Sequence, residues 1–392
     1  MNLLEKLRSL EKTQKAAEKG PVFTECLVRT EKRPAGAFPD QSFITRDALG
    51  LIRSQDLPLP GDPVRILYLD TETTGLRSGA GTVAFEVGCG HMEPHGFVLN
   101  QYVMRDYPEE PFLLEKVREE IEKCDLIVTF NGKTFDLPLL QTRFLMNRVS
   151  AACLDRPHLD LLHAGRRLWK RRLEKCTLSN LEAEILGQPR CDDLPGSEAP
   201  ARYFAFLKTG NFGLLEDVLR HNAQDVASMC MLLGKMCRLY AQPEQIGFSE
   251  DLFSMGDALE KEELRIQARR IYRMVPRGRL HGQARARLAH SFRRFGSPGE
   301  ARDVWLEMIE SREGGILPFV ELAKYYEHTE PDLEKALEMT EKALAVLSED
   351  WPGRDSGTVQ KSVNALQYRH MRLRKKLAAA GTCRDPKERQ GD

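Results

Sequence analysis

Four acidic positions, Asp70, Glu72, Asp136 and Asp225, stand where a folding chain can bring carboxylates together. Asp70-Thr71-Glu72 closes the apolar run Ile66-Leu67-Tyr68-Leu69. Asp136 ends Asn131-Gly132-Lys133-Thr134-Phe135-Asp136, just after Leu126-Ile127-Val128. Asp225 follows His221 by four residues, at the start of an apolar helical stretch. A carboxylate cluster offers oxygen ligands only, which suit Mg²⁺ or Mn²⁺ better than zinc. Two such ions about 3.5–4 Å apart can activate a water and stabilise a leaving 3′ oxygen, the needs of phosphodiester hydrolysis. His221, adjacent to Asp225 on one helix face, is the candidate base, an imidazole with an ordinary pKa near neutrality. The expected chemistry is hydrolysis of nucleic acid with two metal ions.

Those residues need a scaffold. A strand sends alternate side chains to one face, so Asp70 and Glu72 point the same way from the end of a strand over Arg65–Asp70. Strand-like runs also cover Val83–Cys89, Phe97–Met104 and Leu126–Phe130. Helical patterns cover Pro108–Lys123, Leu137–Asn147, Leu159–Trp169, Leu178–Leu186, Arg202–Lys208 and Leu214–Tyr240. The alternation predicts an α/β domain over 61–245, a mixed sheet flanked by helices. Residues 1–60 read as a partly irregular extension opening with a short charged helix at Met1 to Gly20. Beyond Ser249 the strand patterns stop. Ala268, Ala301 and Ala336 open similar helices 33 and 35 residues apart, and Leu288-Ala289 repeats as Leu322-Ala323 at an offset of 34. A period near 34 predicts tetratricopeptide-like helical repeats over 250–380, before a polar, disordered tail at 381–392.

The acidic motifs resemble the DEDD family of 3′-to-5′ exonucleases, built on the ribonuclease H-like fold. The carrying stretches are Leu69-Asp70-Thr71-Glu72-Thr73-Thr74-Gly75, Asn131 to Asp136, and His221-Asn222-Ala223-Gln224-Asp225. The chain is more similar still to a bacterial branch in which this domain precedes tetratricopeptide repeats. That likeness runs through Phe130 to Asp136, His158-x-Asp160-Leu161, Arg166-Arg167-x-x-Trp169 and Pro195-Gly196. The resemblance implies metal ligands at Asp70, Glu72, Asp136 and Asp225. In the family a histidine base usually stands five residues before the last Asp and a tyrosine four; this histidine takes the tyrosine spacing.

With 58 basic and 58 acidic residues the chain has no net charge, so a polyanion must be met by a local concentration of basic groups. Arg166, Arg167, Lys170, Arg171 and Arg172 surround Trp169, which reads as a core residue, and Asn131 and Lys133 flank the second acidic motif. Arg265 to Arg294 holds ten arginines with no lysine, Asp or Glu. From that run Arg269, Arg273 and Arg285 are further phosphate-binding candidates. Nine scattered cysteines and the lack of any long apolar run point to a cytoplasmic protein without a membrane span. Two other readings stand beside the exonuclease: a structure-specific endonuclease on the same metals, and a non-catalytic adaptor whose repeats bind protein or nucleic acid. DNA and RNA are not distinguished, because no motif here reads a 2′-hydroxyl.

Overall fold

The computed structural model describes residues 25–52, 59, 61–75, 81–191, 194–349 and 356–382; the helix expected at Met1 to Gly20 and the tail from Cys383 onward lie outside them. The chain divides into two units, Met1–Pro243 and Glu244–Asp392. The first contains β1 (Leu27–Pro34), α1 (Arg46–Ile52), β2 (Ile66–Thr73), β3 (Ala84–Glu93), β4 (Gly96–Val103) and α2 (Glu110–Lys123). It continues with β5 (Leu126–Thr129), α3 (Asp136–Met146), β6 (His158–Asp160), α4 (Leu161–Trp169), α5 (Leu178–Leu181), α6 (Ala199–Thr209) and α7 (Glu216–Ala241).

The six strands form one mixed sheet in the order β1-β4-β3-β2-β5-β6. β2 pairs antiparallel with β3 and parallel with β5, and β6 continues the parallel side. β2 is therefore interior, and its apolar run Leu67-Tyr68-Leu69 is buried as an interior strand requires. β1 is a departure from the expected irregular extension. It pairs with β4 over eight residues at the sheet edge. Its sequence, Leu-Val-Arg-Thr-Glu-Lys-Arg-Pro, carries the charges and the final proline that protect an exposed edge, so it lacks an apolar strand pattern.

The pleat sorts β2 between two layers. Leu67 and Leu69, with Val87 and Cys89 across the β2–β3 pair, enter a core with Leu113 and Val117 of α2, Leu139 and Phe144 of α3 and Tyr203 of α6. On the opposite face α7 lies close against β3. A Cβ on Gly88 would stand 2.1 Å from Asn222 Oδ1, and one on Gly90 would stand 2.6 Å from Val226. Gly88 is the register partner of Asp70. The missing side chains of these two glycines let α7 deliver Asn222, and with it His221 and Asp225, toward the end of β2.

The second unit is all helical among the described residues: α8 (Ser249–Lys261), α9 (Arg265–Met274), α10 (His281–Arg294), α11 (Pro298–Glu310), α12 (Leu317–His328), α13 (Leu333–Glu349) and α14 (Ser356–Thr382). Each of these packs against the next. Ala268, Ala301 and Ala336 are all buried, where a small side chain permits close helix contact. The one-sign arginine run meets its counter-charges inside this unit. Arg285 pairs with Glu307 and Arg293 with Glu321; Arg265, Arg279 and Arg287 meet Glu263, Glu250 and Asp257. Arg269 bonds Ser291 at 3.0 Å and stacks 4.2 Å from the Phe292 ring centroid, while Arg273 stays exposed beside the same ring. Five of the ten arginines thus have carboxylate partners from outside the run. No helix among the described residues is long and apolar enough to cross a membrane.

Replacing Gly88 by alanine should cost about 1–3 kcal/mol of stability, because the new methyl drives α7 from the sheet. Denaturant unfolding checks this: an unchanged midpoint would contradict the close approach of α7 at this position.

Candidate active site

Asp70 lies near the end of β2 between the sheet and α7. Asn222 donates from Nδ2 to Asp70 Oδ2 at 3.0 Å. Asn222 Oδ1 accepts from Gln101 Nε2 at 3.3 Å, and the same Gln101 nitrogen reaches Glu86 at 2.7 Å. Glu86 is fully buried and is the register partner of Glu72; burial pushes its carboxyl up to about 8. Burial, then the charges of Asp225, Asp136 and Glu72, holds Asp70 well above the ordinary carboxylate range. That mutual influence brings the four predicted acidic residues into one electrostatic neighbourhood. The register shift between Glu72 and Thr73 ends regular pairing just beyond them.

Asp136 reaches the neighbourhood by another route. It begins α3 after a turn in which Asn131 adopts a left-handed backbone with φ of 69°. Asparagine tolerates that conformation. Gly132 follows because a Cβ there would stand 2.4 Å from Thr129 Oγ1. Asp160 secures the turn by accepting from Asn131 N at 2.8 Å and Lys133 N at 3.1 Å while capping α4 through Leu162 N at 3.0 Å. Asp160 is therefore a cap and loop organiser. Its hydrogen-bond partners are backbone amides, and His163 Nε2 lies 3.9 Å from its Oδ2. Thr71, on the face of β2 opposite Asp70, donates to Asp136 Oδ1 at 2.5 Å. Burial pushes Asp136 up to about 6 against that bond.

His221 and Asp225 share one face of α7 as their spacing predicted, with Nε2 3.8 Å from Asp225 Oδ2. Gly196 flanks the ring, since a Cβ on it would stand 3.9 Å from Nε2. Arg190 was not anticipated. It donates to Asp225 Oδ1 at 2.5 Å, approaches His221 Nδ1 at 3.4 Å, and is gripped from behind by the fully buried Glu182. Burial raises the Asp225 carboxyl, opposed by the neighbouring His221 and by the Arg190 guanidinium. No signal in sequence marked this loop arginine, whose partners are 8, 31 and 35 residues away.

Among the described residues, no three His, Cys, Asp or Glu side chains converge as ligands of one ion. Two of the carboxylates are engaged elsewhere, Asp136 by Thr71 and Asp225 by Arg190. The donor set still fits a hard divalent cation: every acidic ligand offers oxygen, and Asp70 bears the accumulated repulsion of three other carboxylates. Asn131 serves the turn, its Oδ1 accepting from Thr134 Oγ1 at 3.0 Å, whereas Lys133 is exposed. Arg166, Lys170 and Arg171 are exposed on and just after α4. Arg167 turns to the carbonyl of Ile52, Arg172 is half-buried, and Trp169 lies in the core as expected. Arg269, Arg273 and Arg285 belong to the second unit.

Residues 67–237 match the RNase H superfamily, so the first unit is an RNase H-like domain. The chain is also 31% identical over 324 residues to the uncharacterized protein YprB of Bacillus subtilis (strain 168), covering 80% of this chain and 75% of that one. The chain belongs to the YprB family. Among solved structures it is similar to the family B DNA polymerase of the archaeon Pyrobaculum calidifontis, with a TM-score of 0.38 and 15% identity over 69% of this chain. It is also similar to a product-bound exonuclease I, with a TM-score of 0.28 and 16% identity over 40% of this chain. It spans 34% of the polymerase and 46% of the exonuclease.

The raised Asp136 carboxyl has a thermodynamic consequence. The folded protein keeps its proton up to about pH 6, the unfolded chain only to about 3.9. Stability therefore falls as pH rises through that window. Asp136→Asn removes the effect. Relative to wild type in chelator, its unfolding free energy should improve by on the order of 2 kcal/mol between pH 4 and pH 7. Parallel unfolding curves at both pH values would contradict the burial of this charge.

Proposed function

We propose that the first unit is a divalent-metal-dependent nuclease that hydrolyses phosphodiester bonds as a 3′-to-5′ exonuclease on DNA or RNA. The observation that supports this reading is that the charges of Asp225, Asp136 and Glu72 all bear on Asp70, near the end of an interior strand of an RNase H-like domain. These four would hold two Mg²⁺ or Mn²⁺ ions. The ions supply an acidified water and charge stabilisation at the leaving oxygen. Asn222 fixes one Asp70 oxygen and thereby aims the other. Thr71 holds Asp136 at the start of α3. His221 takes the proton of the attacking water.

Nucleic acid would be met by Lys133, Arg166, Lys170 and Arg171, exposed on the same unit, with Asn131, Arg167 and Arg172 beside them. The second unit is read as tetratricopeptide-like: α9, α11 and α13 begin 33 and 35 residues apart. It would bind a partner protein or lengthen the nucleic-acid path, with Arg273 its best exposed phosphate contact and Arg269 and Arg285 already engaged within the helices. The reading places the protein in the cytoplasm, where the eight cysteines present as thiols among the described residues stay reduced.

The test incubates purified full-length protein and Mn²⁺ or Mg²⁺ with end-labelled single- and double-stranded DNA and RNA. At least one substrate should shorten stepwise from its 3′ end. Loss of outer-shell partners already costs 10–100-fold at metal sites, so Asp70→Ala and Asp136→Ala should each lower the rate by about a hundredfold or more. Undiminished activity in both variants removes the site, cleavage of circular substrates makes the enzyme an endonuclease, and inactivity on every substrate favours the adaptor. His221→Ala should slow the reaction by about 10²–10⁴-fold. A rate near wild type would leave the water to the metal alone. Alanine at Arg166, Lys170 and Arg171 together should weaken binding and flatten its salt dependence.

A further inference from the structure

Gln101 of β4 is a buried polar side chain on the face of the sheet that meets α7, and the proposed chemistry gives it no part. In register it stands beside Gly88 of β3, and Gly88 stands beside Asp70 of β2. The three form one row across the sheet. Residues paired in this way share a face, so Asp70 and Gln101 point the same way with a glycine between them. Neighbouring strands lie about 4.7–4.9 Å apart, so β2 and β4 are roughly 10 Å apart and a third group must span the gap.

Asn222 of α7 spans it. Its amide lies over Gly88, where a Cβ would stand 2.1 Å from Oδ1 and 2.9 Å from Cγ. From there Nδ2 donates to Asp70 Oδ2 at 3.0 Å and to the Asp70 carbonyl at 3.3 Å, while Oδ1 accepts from Gln101 Nε2 at 3.3 Å.

We propose that Gln101 is a positioning residue of the acidic site: it fixes which end of the Asn222 amide faces Asp70, and so which Asp70 oxygen is left for a divalent cation. The inference rests on the nuclease reading of this site.

The polarity of the row follows from its two ends. A main-chain carbonyl only accepts. The Leu219 carbonyl of α7 lies 2.6 Å from the Gln101 amide, so the atom facing it is Nε2. The same nitrogen reaches Glu86 Oε1 at 2.7 Å. An NH₂ group is thereby turned toward Asn222, which answers with Oδ1. The Asn222 NH₂ is left for Asp70, whose carbonyl likewise only accepts. Turning the Asn222 amide over would set NH₂ against NH₂ at one end and Oδ1 against two Asp70 oxygens at the other. Both side chains are buried, where a mismatched amide has no water to turn to. Two hydrogens on Nε2 serve three acceptors, and the contact with Asn222 is the longest of them. Gln101 thus acts less by binding Asn222 than by excluding its reversed orientation. With Oδ2 engaged by Nδ2, Oδ1 is the Asp70 oxygen left for a cation.

The experiment measures Mn²⁺ affinity by calorimetry on the full chain for wild type, Gln101→Met, Asn222→Ala and the double variant, so no turnover is needed. Methionine keeps the length of glutamine and has no N–H. Partners behind a metal ligand are worth 10–100-fold in affinity, so Q101M should bind Mn²⁺ about tenfold or more weakly than wild type. Once Asn222 is gone, Gln101 has no amide to orient. The double variant should therefore match N222A, the non-additivity expected of two residues acting as one. Losses that multiply instead give Gln101 a merely structural part and overturn the proposal. A folded Q101M that binds like wild type overturns it too, and leaves the nuclease reading intact. A second arm needs no variant to fold. In wild type labelled with ¹⁵N-asparagine, the Asn222 side-chain amide hydrogens should exchange with solvent far more slowly than those of exposed Asn211. Equal exchange overturns the fixed amide. Absence of Mn²⁺ binding in all four proteins, wild type included, overturns the metal site, and the proposal falls with it.

Discussion

The constraint on which the first unit depends is that several carboxylates are held together with little water to screen them. Asp70 lies among the charges of Asp225, Asp136 and Glu72. Such a cluster is stable only if every neighbour supplies a donor, a cation or a proton. The structure uses all three. Asn222 and Thr71 donate to Asp70 and Asp136. Arg190 sets a positive charge against Asp225. Glu86, pushed up to about 8, sits beside the cluster without adding to its charge at neutral pH. Gly88 and Gly90 follow from the same need, because they let α7 approach until Asn222 reaches the strand.

The helical unit handles charge in the opposite way. Many of its acids and bases meet in pairs, with Glu327 of α12 engaging Arg369, Arg372 and Lys376 of α14. Of the ten arginines in the run from Arg265 to Arg294, Arg265, Arg279, Arg285, Arg287 and Arg293 meet carboxylates within the unit, while Arg270, Arg273, Arg277 and Arg294 are exposed. Local composition counts charges, but the fold decides which of them still face a partner.

The parts of this protein legible in its sequence were those written in contiguous patterns. The apolar run before Asp70 marked an interior strand, the i, i+4 pair marked a helix face, and the alanine offsets matched the starts of α9, α11 and α13. β1 was illegible because an edge strand has little to bury and instead displays charge. β6, three residues long, is too short to show a period. Within the site, the acidic residues were legible as a set, whereas Arg190, Thr71 and Asn222 were not. Each of these acts through a partner distant in sequence, and a polar residue carries no mark of the partner it will meet. Asn131 also has a turn role that the sequence did not mark: its left-handed backbone and its bond to Thr134 serve the loop.

The spacing of His221 and Asp225 and the presence of Arg190 are two sides of one geometric fact. At 3.6 residues per turn, residues four apart are rotated by only about 40°, so both side chains leave α7 in nearly the same direction. One guanidinium can then touch both, as Arg190 does. A histidine five residues before Asp225 would be rotated by about 140° and would emerge on another side of the helix. It could not share the guanidinium. A base placed at that wider spacing stays independent of the charge on the last aspartate. A base at the spacing found here is tied to it, because one guanidinium contacts both.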